Sequence, residues 1–243
     1  MIILRDEKRV ERLKKIGQYV SFLGMGIILV GLVIIFWGNP NAILYKVLAL
    51  AGGWVVSQIG LYLTHRYGRT PRPDEVLDEA LKHAVSDSRL YHYLLPAPHV
   101  LLVPNGVIIL HAKYQVGEIT AEGDSWKQKG VGLRKYFGQE GLGNPSKEAD
   151  RLVSAMANYI RKNAPDIEEV PMAPIIVFTS KDIESLDVKK SRIPAMHASK
   201  LKGFMRQQKD KLPPMPQEEY DSLRAAFDKK VAHVIEEEDA DTA

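Results

Sequence analysis

Two long apolar runs near the start of the chain constrain its folding more than any other feature. The first, Tyr19 to Trp37, contains no charged residue. As a helix rising about 1.5 Å per residue it is roughly 28 Å long, close to the hydrocarbon thickness of a bilayer. The second, Ile43 to Leu63, has one charge, Lys46, within a turn of the polar break Gly38 to Ala42. From there its long stem can carry the ammonium back to the headgroups. Neither run has the polar face of a helix lying on a soluble core. The pattern predicts a transmembrane helical hairpin whose partner is the lipid bilayer. A cleaved signal peptide is the competing reading, but its apolar core usually spans about 7 to 15 residues and no second span follows it.

Flanking charge sets the expected orientation. Arg5, Lys8, Arg9, Arg12, Lys14 and Lys15 precede the first span, Arg66, Arg69 and Arg72 follow the second, and the break has neither Lys nor Arg. An integral membrane protein with two spans follows, both termini and the soluble domain being cytoplasmic. Small residues recur along each span: Gly17, Gly24 and Gly31 every seven positions, and Ala49, Gly53 and Ser57 every four. Such seams allow close backbone approach. They are expected to face each other, with homo-oligomerisation through Gly24, Gly31 and Gly53 as the other use.

The 243 residues contain no cysteine, which excludes disulfides, thiolate zinc sites and a thiol nucleophile. A net charge of +3 is small, and much of the basic excess sits beside the spans, where anionic lipid is the ordinary partner. The expected organisation is a basic N-terminus (1–18), the hairpin (19–64, spans about 19–37 and 43–63), a basic linker (65–73), an α/β domain (74–212), and a C-terminal amphipathic helix with an acidic tail (213–243).

Within the soluble part, Pro73 followed by Asp74 and Glu75 starts a helix expected to run to Ser86. Residues His99 to Lys113 form two β-rich arms around Pro104-Asn105-Gly106, a turn whose proline presets φ and whose Asn-Gly tolerates positive φ. Both arms are apolar on both faces, so these strands should be central and covered. Residues Gly117 to Gly132 read as a further strand and turns. Asn144 caps a helix from Pro145 to Asn163, and Pro174 to Ser180 is a short apolar strand. Helices follow over Ser199 to Lys211 and along the stripe Tyr220, Leu223, Phe227 and Val231, which is expected to dock on its own domain. The order predicts a mixed sheet flanked by helices.

The run PHVLLVPNGVIILHAKYQVGEI (98–119), with Trp126, Asn144-Pro145, VPMAPIIVFTS (170–180) and IPAMHASKLKGFM (193–205), resembles the NERD (nuclease-related) domain of the PD-(D/E)xK superfamily. The similarity covers about residues 74–206. It implies a restriction-endonuclease-like sheet and a site holding a divalent metal, magnesium or manganese, on carboxylates, which polarises a phosphodiester and activates water. The family pattern has an Asp entering the hairpin, a Glu-x-Lys on its second strand and a Gln after Asn-Pro. Here Pro98 matches the Asp, His111 the Glu, and Lys113 the lysine, while the Gln position falls near Lys147. Between Asp87 and Glu118 there is no carboxylate.

The expectation is therefore a site without metal or catalytic residues: a vestigial pocket of Pro98, His99, His111 and Lys113, whose lysine attracts a phosphate or another anion. The protein would then be a binding or scaffolding module for a nucleic acid or protein partner. The alternative is an active nuclease using other ligands, such as Glu118 or Asp124. Glu75, Asp78 and Glu79 read as acids favoured at a helix N-terminus. His197, beside Ser199 and Lys200, reads as structural. The Gly138 to Gly143 spacing lacks the Lys-Ser/Thr of a phosphate loop.

Overall fold

The computed structural model describes residues 1–37, 43–132, 141–167, 169–209 and 214–242. The chain forms two compact units, Glu7–Arg72, and Met1–Asp6 together with Pro73–Ala243.

The first unit is a pair of helices, α1 (Glu7–Trp37) and α2 (Ile43–Tyr67), both long and apolar enough to cross a membrane. The break Gly38 to Ala42 lies outside the described residues. Helix α1 starts well before the apolar run, because the intervening Lys, Arg and Glu residues are good helix formers. The expected seams meet. A Cβ placed on Gly53 would lie 2.8 Å from Ile28 Cγ1 and 3.0 Å from Ile28 N, and one on Gly24 would lie 2.7 Å from Ser57 Cα. Gly31 lies against Ala49 and Leu50. The sister helix thus takes up these glycines within one chain.

The second unit is built on a six-stranded mixed sheet. Its strands are β1 (Ile2–Arg5), β2 (Arg89–His92), β3 (His99–Val103), β4 (Gly106–Lys113), β7 (Met172–Phe178) and β9 (Ala195–His197), in the spatial order β1-β2-β3-β4-β7-β9. The β3–β4 hairpin is antiparallel and central, whereas β1 on β2, β7 on β4 and β9 on β7 are parallel. Its turn needs Gly106, which has φ 141°, because any Cβ there would strike the Pro171 carbonyl oxygen.

Alternation along the hairpin divides the core between two faces. Val100, Leu102, Val107 and Ile109 pack with α4 (Pro145–Asn163) and α6 (Gln217–Thr242). Leu101, Val103 and Leu110 pack with α3 (Pro73–Leu81) and α5 (Ala198–Lys209). The C-terminal stripe docks as expected: Leu223, Phe227 and Val231 are fully buried, with Phe227 edge-on to Tyr91 at 5.6 Å. A second, three-stranded sheet has the order β6 (Ser125–Lys129), β5 (Gly117–Glu122), β8 (Ile183–Lys189). Trp126 leans on Phe178 from this sheet.

Three expectations need correction. The N-terminal segment is not only a basic lead-in to a span, because its first residues form β1. Helix α3 stops at Leu81 rather than Ser86, and His83 just beyond it has a positive φ of 58°. Residues 117–132 give two paired strands, and their partner β8 arises from IESLDVK, where one face alone is half buried.

Candidate functional site at the end of the central hairpin

Strand β4 presents His111 and Lys113 on one face, the face of Ile109 and Val107, and that face is covered by α4. The first turn of α4 is fixed by the residues around it. Asn144 Oδ1 accepts from Lys147 N at 3.0 Å, Asn144 Nδ2 donates to the Asp124 carbonyl at 3.1 Å, and Trp126 Nε1 donates to Ser146 Oγ at 2.9 Å. Pro145 occupies the first helical position, where its missing N–H costs nothing. This pins Glu148, one turn into the helix, over the end of β4.

Glu148 Oε2 lies 3.0 Å from His111 Nε2 and 3.1 Å from Lys113 Nζ. One carboxylate oxygen therefore accepts from both hairpin side chains. Lys113 is almost fully buried and Glu148 is one-third exposed. Gly143 closes the other side, since a Cβ at this position would collide with Glu148 Oε1. Burial alone would push the Glu148 carboxyl up, but the His111 hydrogen bond and the Lys113 ammonium outweigh it and lower the pKa to about 2. With Glu148 ionised, His111 donates from Nε2.

The lowered value makes a signed prediction. A carboxylate with a depressed folded pKa stabilises the fold above its unfolded pKa, and that contribution is lost as pH falls through the folded value. The loss runs from about pH 4.5 down to about pH 2. Water screens the exposed third of the side chain, so we expect about 1 kcal/mol rather than the full linkage value. Denaturant titrations of the wild type and Glu148→Gln should differ by this amount near neutral pH and converge near the low end of the window. A gap that stays constant across it would contradict the ion-pair account.

The four positions expected to form one pocket do not all meet. His99 alternates onto the face of Leu101, opposite His111, and the sheet itself separates the two. His99 belongs instead to a buried polar cluster. Its Nδ1 lies 2.7 Å from His92 Nδ1, and His92 Nε2 lies 2.8 Å from Asp78 Oδ1. Arg5 from β1 reaches both aspartates of α3, Asp78 and Asp74, the latter at 2.7 Å. Tyr93, held at φ 60°, donates to Asp74 Oδ1 at 3.2 Å and to the Pro98 carbonyl from its backbone N–H at 2.6 Å. Pro98 thus supplies its carbonyl oxygen to that loop.

With one proton on each ring, His92 donates to Asp78 and accepts at Nδ1 from His99. Burial pushes the Asp78 carboxyl up, yet His92 and Arg5 bring it below its usual value. Asp78 is thus more than a helix N-terminal acid. Lys147 contributes a backbone cap while Glu148 faces the site, so the α4 residue relevant to the hairpin is one position later than expected. Glu118 is exposed opposite Lys129, and Asp124 is held by Arg192 at 3.0 Å. His197 bonds Ser199 Oγ at 2.8 Å and the Ser180 carbonyl at 3.1 Å, consistent with a structural role. Residues 133–140, with the first half of the Gly138 to Gly143 segment, lie outside the described residues.

Glu148 could not be assigned from spacing, because it lies 35 residues from Lys113 on a different element. The signal that existed was its place one turn after a capped Asn-Pro. Residues 75–179 match the family model of the nuclease-related domain, NERD. The match opens within α3 and closes just after β7, so it encloses the hairpin, the β5–β6 pair and α4, and leaves the two apolar helices outside. No curated protein and no solved structure matches the chain.

Proposed function

We propose that the chain is a membrane-anchored nuclease-related domain whose hairpin site serves binding or scaffolding rather than metal-dependent hydrolysis. The observation that carries this reading is the shared oxygen of Glu148. Among the described residues, the carboxylate brought over the end of β4 is Glu148, and it is already taken by an imidazole and a buried ammonium. Magnesium and manganese favour several oxygen ligands, and an ammonium seated on the carboxylate competes with a cation for it. Among the described residues no third His, Asp or Glu joins His111 and Glu148 as a metal-holding group. That donor set does not fit a hard divalent ion.

Connectivity supports the anchor. The chain leaves the α/β unit after Asp6, runs through two helices of membrane-spanning length, and re-enters the same unit at Pro73. Two crossings return a chain to the side it left, and the basic flanks make that side cytoplasmic. Signal-peptide cleavage would remove β1 and Arg5 from a sheet they help to build.

The full chain in lipid nanodiscs should cleave neither DNA nor RNA with magnesium, manganese or zinc. Salt-sensitive retention of an oligonucleotide would identify nucleic acid as the partner. A second reading, an active nuclease with unusual ligands, draws on Glu148 itself, an acid that arrives beside Lys113 from elsewhere in the fold. Metal-dependent cleavage abolished by both Lys113→Ala and Glu148→Ala would establish it and overturn the first.

A further inference from the structure

At the turn end of the hairpin, far along the strands from His111 and Lys113, two adjoining cavities of about 410 and 260 Å³ share Asp87, Pro104 and Pro214 in their walls. They differ in chemistry. The smaller is walled mainly by apolar side chains, among them Val103, Ile108 and Met205. The larger has Met215 and the Tyr220 ring as apolar surface, and brings Ser88, Arg89 and Arg224 to its polar end.

We infer that these joined cavities bind a small amphipathic anion, its apolar body against Ile108 and Met205 and its carboxylate or phosphate head between Arg89 and Arg224. Three observations carry the assignment. Ser88 Oγ is buried with no hydrogen-bond partner among the described residues, an arrangement that normally costs stability unless something in the cavity meets it. Arg89 meets Asp228 through one terminal nitrogen and also interacts with the Tyr91 hydroxyl, and Arg224 meets Asp221 through one terminal nitrogen at 3.1 Å. Each guanidinium therefore keeps N–H donors of the fork that reads carboxylate and phosphate.

Both arginines also line the larger cavity together with the Tyr220 ring. The Tyr220 hydroxyl itself is committed, donating to the Asp87 carbonyl at 3.1 Å, which leaves the arginines as the head-group readers. Asp87 is the acid in the wall, so a cation is the competing occupant. The combined space fits a ligand of the size that pockets of this kind enclose.

The test uses fluorine NMR of the full chain in nanodiscs, with empty nanodiscs subtracted. The probes are 4-(trifluoromethyl)benzoate, the neutral 4-(trifluoromethyl)benzyl alcohol, the cationic 4-(trifluoromethyl)benzylamine, and trifluoroacetate, an anion without the apolar body. The benzoate should bind about tenfold more tightly than the alcohol or trifluoroacetate, and the amine most weakly. Arg224→Gln, on a half-exposed helix position where folding is safe, should lose about that tenfold for the benzoate and leave the alcohol unchanged. Equal affinities for benzoate and alcohol, preference for the amine, or an Arg224→Gln variant that binds as well as wild type would each overturn the assignment.

Discussion

Arg5→Ala should cost about 3–5 kcal/mol of the α/β unit's stability, the range expected when one partner of a buried ion pair is removed. The Asp74 side chain is wholly buried, and Arg5 Nε lies 2.7 Å from its Oδ2. Without the guanidinium, Asp74 is a buried carboxylate short of its cation, and the desolvation it then suffers weakens the fold. The same substitution loosens Asp78, and through it the His92–His99 pair, so protection of β2 amides from hydrogen exchange should fall together with global stability. Arg5→Lys retains a charge but not the fork that reaches both acids, and should fall between the two. Adding Asp74→Asn to Arg5→Ala should recover part of the loss. A denaturant titration in micelles showing less than about 1 kcal/mol for Arg5→Ala would show that β1 contributes little to the sheet. Cleavage ahead of the second span would then cost the sheet little.

This cluster marks where reading the sequence stops being sufficient. The hairpin was legible because Pro104-Asn105-Gly106 has chemistry of its own and the arms are apolar on both faces. Helix α4 was legible because a side-chain cap, a proline and a helical stripe agree. Strand β1 was not, since four residues against a run of Lys and Arg acquire strand character only from pairing with β2. Strand β2 (RLYH) and strand β8 likewise draw their strand character from pairing. The site was half legible: His111 and Lys113 share a face by simple alternation. His99 is near them along the hairpin, but parity through the cross-strand register puts it on the other face. Glu148 and Arg5 belong to pairs made across 35 and 73 residues, and local spacing carries no record of such pairs.

Gly24→Leu should separate the two apolar helices, an effect on tertiary structure rather than on helix content. The backbone of Ser57 occupies the space a Cβ would need, and the Gly53 carbonyl oxygen would lie 2.9 Å from it. Neither atom can swing aside as a side-chain tip would, so α1 and α2 must part by about 1 Å or more, forfeiting the close packing that holds helices together in lipid. Gly26 and Gly52 supply the control, because a Cβ at either meets nothing within 4 Å. The absence of cysteine makes the measurement clean. A Cβ at Gly31 would lie 3.4 Å from Ala49 Cβ, close to disulfide reach, so Gly31→Cys with Ala49→Cys should oxidise readily in membranes. Cross-linking should persist with Gly26→Leu and be largely lost with Gly24→Leu. If the yield were the same in both, the helices would not be meeting along Gly24, and the small residues would be free for contacts between chains.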